Sequence, residues 1–202
     1  MIQGNNSMKT KISIVLILTF ISLLAGAQNK LEWSADYRLK ASDFQGKAPD
    51  SPQLESASGS FSVTYEFGGI NLITTRNLNK YVSALFQRNA SYIAQADEAT
   101  TQRLLKYQQL IFNLYELQAR RLRQKFFENR RILLTKGASV LHQEVAAEHA
   151  ELLEKIQDET FYGSSSEEIT RWNQWVLQEL DQLSDFSKTG TPSKKKNRKN
   201  RK

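Results

Sequence analysis

The chain has 202 residues, of which 40% are hydrophobic and 10% aromatic. That is enough for one domain with a buried core and too little for two domains of ordinary size. The formal net charge of +7 is unevenly placed: residues Lys188 to Lys202 hold eight basic side chains and no acidic one, whereas Gln28 to Ser187 hold 18 basic and 21 acidic ones. The chain has no cysteine, which excludes disulfides, thiolate metal sites, cysteine nucleophiles and a lipoprotein acylation site.

Residues 1–27 have the pattern of a cleaved secretory signal. Basic residues precede a 13-residue apolar run from Ile12 to Leu24, and Ala25-Gly26-Ala27 fits the small-x-small rule for cleavage. The alternative is an uncleaved anchor, for which the run is short because a spanning helix needs about 20 apolar residues. We therefore expect a protein secreted across the inner membrane, periplasmic or extracellular, with no transmembrane segment in the mature chain that begins at Gln28.

The first half of the mature chain has strand patterns. Leu31–Trp33 is a short apolar candidate, and Phe61 to Phe67 alternate apolar and polar residues as a half-buried strand does. Gly68-Gly69 is a two-residue hairpin signal that makes Ile70–Thr75 the returning strand. Tyr81–Gln87 is a further candidate. Together they predict a small antiparallel sheet of about three strands.

Three helices are predicted in the second half. Asp97 is a suitable N-cap for a long central helix that ends near Asn129, and its apolar residues lie on several sides, which indicates burial. After Gly137, Ser139 is placed to cap a second helix that runs to about Phe161. Ser165-Ser-Glu-Glu168 reads as a capping box for a third helix, whose tryptophans are predicted to be core residues. The fold class is therefore α+β, with residues 28–187 forming a single domain.

The long helix resembles a zinc-peptidase helix in sequence pattern but lacks its zinc ligands and its general base. In a His-Glu-x-x-His motif, histidines four apart share one helix face and bind zinc, and the glutamate acts as general base. The corresponding residues here are Tyr107-Gln108-Gln109-Leu110-Ile111. None of them is a good zinc ligand, and an amide cannot take a proton from a bound water.

The chain resembles a family of predicted secreted zinc-dependent proteases of Gram-negative bacteria, a domain of unknown function. The family pattern has an opening Leu-x-Trp-x-Asp-Phe-x-Gly-x-Pro segment, a small sheet, and a helix with Leu-Leu-x-His-Glu-Gln-x-His-Phe-Asp followed by Glu-Leu-x-Ala-Arg-x-Leu-Arg. Matching positions are Leu39, Asp43, Phe44, Gly46, Pro49, Leu104, Leu105, Gln109, Phe112, Glu116, Leu117, Ala119, Arg120, Leu122, Arg123, Thr160, Gly163 and Trp172. The resemblance implies a zincin-like fold over most of residues 28–183.

The departures from the family pattern fall on the chemistry. The two histidine positions are Tyr107 and Ile111, the base position is Gln108, the aspartate after the motif is Asn113, and the expected third ligand position is Tyr162. The resemblance therefore implies a degenerate member with no catalytic residues, no metal site and no cofactor. It would be a binding or scaffolding module with an unidentified protein partner. An active hydrolase or peptidase with an unrecognised site remains the alternative.

Other candidate sites are weak. His142 and His149 are seven apart on a helix, roughly 10 Å along its axis, and with neighbouring glutamates they are expected to form a solvated face rather than a metal site. The adjacent acidic pairs Asp158-Glu159 and Glu167-Glu168 are better explained by helix termini. Ser164–Ser166 has no evident base near it in the sequence.

The C-terminal segment from Lys188 to Lys202 is predicted to be a disordered basic tail, because it has no apolar residue able to join a core. One interpretation is a solvated tail that aids solubility. The other is electrostatic attachment to an anionic envelope surface, which would make the chain a structural envelope protein; specific nucleic-acid binding conflicts with the leader. The contacts would come from Lys194, Lys195, Lys196, Arg198, Lys199, Arg201 and Lys202.

Overall fold

The structure is a computed structural model, and it describes residues 29–50, 56–94 and 96–193. The predicted signal sequence and the seven basic residues from Lys194 onward lie outside this part of the chain. So does most of the Ser- and Pro-rich stretch that precedes the second strand.

The main sheet is antiparallel and has three strands in the described part of the chain, as predicted. They are β1 (Lys30–Glu32), β3 (Phe61–Tyr65) and β4 (Val82–Gln87), in the order β1-β4-β3. Leu31 and Phe61 both pair with Phe86 of the central strand. Side chains of β4 alternate between buried and half-buried, because one face of the sheet packs on the core and the other is partly open to solvent.

Two short strands that the sequence did not reveal form a second antiparallel pair. They are β2 (Ala57–Ser58) and β5 (Tyr92–Ile93), with Ala57 opposite Ile93. β2 contacts the long helix, and this contact matters for the candidate site below.

The predicted hairpin at Gly68-Gly69 is wrong. Residues Gly69–Thr74 form a short helix, α1, instead of a returning strand. The side chain of Asn71 explains the change, because its Oδ1 accepts from the Gly68 backbone N–H at 2.9 Å and its Nδ2 donates to Tyr81 Oη at 2.9 Å. The chain then returns to the sheet through the candidate that begins at Tyr81.

Four helices follow: α2 (Glu98–Glu128), α3 (Arg130–Lys136), α4 (Ala138–Glu159) and α5 (Ser166–Gln182). The three predicted helices correspond to α2, α4 and α5, and the two short helices α1 and α3 were not predicted. α2 is central, since it contacts the sheet, α4 and α5. The α+β class is confirmed. Within the described ranges, no helix has both the length and the apolar character that a membrane span needs.

The helix caps agree with the sequence at two of three positions. The Asp97 carboxylate accepts from the Thr100 backbone N–H at 2.9 Å, and Ser165 Oγ accepts from the Glu168 N–H at 3.3 Å. Ser139 is not the cap of α4. That helix begins at Ala138, two residues earlier than a Ser139 cap would place it, after Gly137, whose φ of 87° is a left-handed conformation that glycine adopts without strain.

Candidate functional site

The two positions at which the motif comparison would place zinc-binding histidines lie on one face of α2 and are buried. Tyr107 and Ile111 join an apolar cluster with Ile156 of α4 and Trp172 of α5. Burial raises the pKa of the Tyr107 hydroxyl, against the opposing effect of hydrogen bonding with Thr160 and Gln157. Both side chains therefore serve as core residues.

Gln108, at the predicted general-base position, is hydrogen-bonded to the neighbouring small sheet. Gln108 is buried, and its Nε2 donates to the backbone carbonyl of Ala57 in β2 at 3.0 Å. A Cβ on Gly59 would lie 2.5 Å from Gln108 Oε1, so the backbone approaches the amide closely. The amide thus joins α2 to the edge of the small sheet.

The segment that was expected to carry a third ligand does reach this face of α2. The carbonyl oxygen of Gly163 accepts from Arg103 Nη1 at 2.8 Å. A Cβ on Gly163 would lie 2.7 Å from the Tyr107 ring, which makes glycine necessary there. Tyr162 itself points away: it is 69% exposed, and its hydroxyl lies 3.4 Å from Asp158 Oδ1. Of the three positions at which the motif comparison predicts a ligand, two are therefore occupied by packed core side chains and the third faces solvent.

The turn that presents Tyr162 has an unusual backbone. Phe161 and Tyr162 have φ values of 48° and 53°, and Gly163 follows with φ 91°. Aromatic residues rarely adopt this left-handed region, and each such residue costs roughly 1–2 kcal/mol. The turn therefore holds two exposed aromatic rings in a strained conformation.

Asn113, which replaces the aspartate after the motif, lies on a different face of α2 and organises a network of amides. Its Oδ1 accepts from Trp33 Nε1 at 2.9 Å and from Gln109 Nε2 at 3.0 Å. Its Nδ2 donates to Asn173 Oδ1 at 2.9 Å, and Gln109 Oε1 accepts from the Leu39 backbone N–H at 2.9 Å. The network joins the N-terminal segment, α2 and α5.

A cleft of about 480 Å³ opens over this network, between α2 and α5. Its apolar walls come from Leu39, Leu105 and Ile169. Its polar lining consists of two cations, four amides and one hydroxyl: Arg38, Lys106, Gln102, Gln109, Asn173, Gln174 and Thr170. No carboxylate is among the described lining residues. A cleft with hydrogen-bonding amides and positive charge is suited to a polar ligand that carries negative charge.

C-terminal to Asn113, α2 carries a buried ion cluster that the sequence did not reveal. Glu116 Oε1 accepts from Arg120 Nε at 3.0 Å and from Arg123 Nη1 at 2.8 Å. The two arginines also donate to the backbone carbonyls of Leu180 and Val82. Their position on either side of Leu122, in a helix with apolar residues on several sides, was the available signal for burial.

The prediction that His149 lies on a solvated face is wrong. This residue is only 8% exposed, and its ring packs edge-on against Tyr115 with centroids 4.5 Å apart. Burial, together with the charge of Arg121, lowers its pKa to about 4. His142 is half-buried and lies against the Tyr65 ring at 5.6 Å. The histidines lie among aromatic rings because α4 turns that side toward the sheet and α2.

The residues present do not fit a zinc ion. Tyr107 and Ile111 pack in the core, and the Gln108 amide donates a hydrogen bond to a backbone carbonyl. Among the residues that the structure describes, no group of three histidine, cysteine, aspartate or glutamate side chains is placed to hold a metal. Comparison of the chain with protein-family models, curated proteins and solved structures gives no match. The family resemblance stays a prediction from the sequence motif.

Proposed function

We propose that the mature chain is a secreted, non-catalytic binding or scaffolding module built on a zinc-peptidase-like framework. The observation that carries the proposal is that the side chains at all three motif positions stabilise the fold. Tyr107 and Ile111 are buried in the apolar cluster, and the Gln108 amide is hydrogen-bonded to Ala57. A histidine that binds zinc, or a general base, must keep its reactive atom accessible. Tyr107 and Ile111 have no imidazole nitrogen, and Gln108 has no carboxylate.

We place ligand binding in the cleft between α2 and α5. Arg38 and Lys106 supply positive charge at its rim, and the amides of Gln109 and Asn173 are held in fixed orientations by the hydrogen bonds of the network. Fixed donors reduce the entropy lost on binding. A peptide with a free terminal carboxylate offers both the charge and the hydrogen-bonding backbone that this lining recognises.

The absence of catalysis is tested with the chain from Gln28, purified without chelators. We expect no retained zinc by elemental analysis and no cleavage of unstructured protein substrates with or without added zinc. One zinc per chain together with chelator-sensitive peptidase activity would overturn the proposal and establish the active-hydrolase alternative.

The cleft is tested by titration with acetylated tripeptides that end in a free carboxylate and with their C-terminal amides. We expect the acids to bind more tightly, and Lys106→Glu to weaken their binding about tenfold, which corresponds to about 1.4 kcal/mol. Lys155→Glu is the matched control, because Lys155 is an exposed lysine on α4, and outside the cleft lining. Equal binding of acids and amides, or equal loss in both variants, would contradict this placement.

A further inference from the structure

Consecutive hydrogen bonds with one common direction run from the N-terminal segment through α2 to α5. The Leu39 backbone N–H donates to Gln109 Oε1 at 2.9 Å, and Gln109 Nε2 donates to Asn113 Oδ1 at 3.0 Å. Asn113 Nδ2 then donates to Asn173 Oδ1 at 2.9 Å. Each side-chain amide of this relay therefore receives a hydrogen bond through its oxygen, and Gln109 and Asn113 pass one on through their nitrogens.

Two groups that can only donate fix this direction. An isolated side-chain amide can exchange its oxygen and nitrogen by rotation, but a backbone N–H and an indole N–H have no acceptor function. The Leu39 N–H requires the oxygen of Gln109, which turns the Gln109 nitrogen toward Asn113. Independently, Trp33 Nε1 requires the oxygen of Asn113, at 2.9 Å. Asn113 is left with its Nδ2 to meet Asn173, and this determines the orientation of the Asn173 amide.

Asn173 is the end of the relay and lies in the wall of the cleft. Its oxygen accepts from Asn113, and its Nδ2 has no acceptor among the residues that the structure describes. This nitrogen is not one of the buried atoms that lack a partner, so it is open to the cleft. Ile169, four positions earlier on the same face of α5, supplies apolar wall beside it. The relay thus aims a donor of fixed direction at a ligand in the cleft.

We propose that Asn173 determines the specificity of the cleft as a hydrogen-bond donor, and that Asn113 is the positioning residue that fixes its direction. Asn173 Nδ2 donates to an oxygen of the ligand, whereas a ligand group that presents an N–H there meets a second donor and is left unpaired. A terminal carboxylate has acceptors only, so either of its oxygens satisfies Asn173. This role rests on the carboxylate-binding function proposed above and assigns the recognition of the terminal oxygen to one residue.

Two uncharged probes test the direction of the Asn173 amide. They are acetylated tripeptides with a C-terminal methyl ester, which only accepts at that end, or with a C-terminal primary amide, which accepts and donates. The parent chain from Gln28 should bind both alike, because each offers a carbonyl oxygen to Asn173.

Asn113→Asp should reverse the direction of the Asn173 amide. The new carboxylate still accepts from Trp33 and Gln109, but it has no N–H, so Asn173 turns and donates to it. The Asn173 oxygen then faces the cleft, and the amide probe should bind about tenfold more tightly than the ester probe. The added negative charge does not produce this difference, because neither probe is charged.

Asn173→Asp is the second variant, and it places an acceptor on the cleft without any rotation. Its carboxylate accepts from Asn113, so it should show the same preference for the amide probe even if Asn113→Asp does not fold. Asn71→Asp is the matched control, because the Asn71 amide is also hydrogen-bonded at both ends, to Gly68 and Tyr81, and lies outside the cleft lining. It should bind both probes alike. Far-UV circular dichroism establishes whether each variant folds.

A measurement without ligand follows the same rotation. By NMR of isotope-labelled protein, the side-chain amide protons of Asn173 should exchange freely with water in the parent and be protected in Asn113→Asp. Unchanged exchange in a folded Asn113→Asp would overturn the assigned direction. A parental ratio of amide to ester binding in both variants, in a protein that prefers the acids, would overturn the role of Asn173 alone. A parent that binds neither the acids nor the uncharged probes would overturn the proposed binding function together with this role.

Discussion

The side-chain amide of Gln108 donates to the backbone carbonyl of Ala57 at 3.0 Å, across 51 positions of sequence. This hydrogen bond joins the middle of α2 to the first strand of the small second sheet. Because the Gln108 side chain is buried, the bond has structural value that a glutamate in the same position could not supply.

Gln108→Glu should therefore destabilise the protein and leave it without peptidase activity. The substitution removes the N–H donor and places a carboxylate against the Ala57 carbonyl, which we expect to lower the free energy of unfolding by about 2–3 kcal/mol at neutral pH. Urea denaturation measures the change. The exposed Gln178→Glu in α5 is the control and should shift stability by less than about 0.5 kcal/mol. Equal stability of the two variants would show that the hydrogen bond contributes nothing.

The strained turn after α4 makes a separate prediction about Tyr162. Asparagine tolerates the left-handed backbone better than other non-glycine residues do, whereas a β-branched residue tolerates it least. We expect Tyr162→Asn to raise the free energy of unfolding by about 0.5–1 kcal/mol and Tyr162→Val to lower it by about 1 kcal/mol. Both variants remove the same exposed ring, so the difference between their thermal midpoints isolates the backbone. A reversed order would show that the turn is not strained at φ 53°.

The sequence predicted the elements that local patterns determine and missed those that distant partners determine. Asp97 and Ser165 cap their helices as expected, because capping uses residues three positions apart. Gly68-Gly69 gave a hairpin signal, yet Asn71 bonds Tyr81 ten positions away and fixes a helix. Of the candidate site, the motif predicted that zinc ligands are missing, but the orientation of Tyr162 depends on backbone dihedrals that no residue spacing reveals.

Polar residues of the core were the least predictable. His149 has glutamates close by in sequence and reads as part of a solvated face, but the packing of α4 on α2 places it against Tyr115. The amide network around Asn113 likewise depends on Trp33 and Asn173, which are 80 and 60 positions away. Both outcomes require the relative placement of helices, which a single sequence does not contain.

The low pKa of His149 predicts loss of stability in mild acid. The folded state keeps this imidazole neutral down to about pH 4, whereas in the unfolded chain it takes up a proton near its ordinary pKa of 6.5. The unfolded state therefore binds more protons between these values, and stability falls as pH drops from 6.5 to about 4, by up to about 3 kcal/mol from this residue. Denaturation midpoints measured across this range give the slope.

His149→Leu removes this contribution, and it also removes the buried Nε2 that has no hydrogen-bond partner among the described residues. We expect the variant to lose less stability than the parent between pH 6.5 and 4. His142→Leu on the same helix is the control for the general effect of a histidine-to-leucine change, because His142 is half-buried. Parallel curves for the parent and His149→Leu would mean that His149 titrates normally.

The ion cluster within α2 provides the strongest single-site prediction. Glu116 forms ion pairs with two buried arginines, Arg120 and Arg123, through one carboxylate oxygen. Glu116→Gln keeps the shape and removes the charge, so two buried cations are left without compensation, and we expect a loss of about 3–5 kcal/mol in the free energy of unfolding. Asp50→Asn, which breaks the exposed pair with Lys47, should cost less than about 1 kcal/mol. Chemical denaturation of both variants compares the two environments directly, and a loss at position 116 as small as that at position 50 would contradict the burial of the cluster.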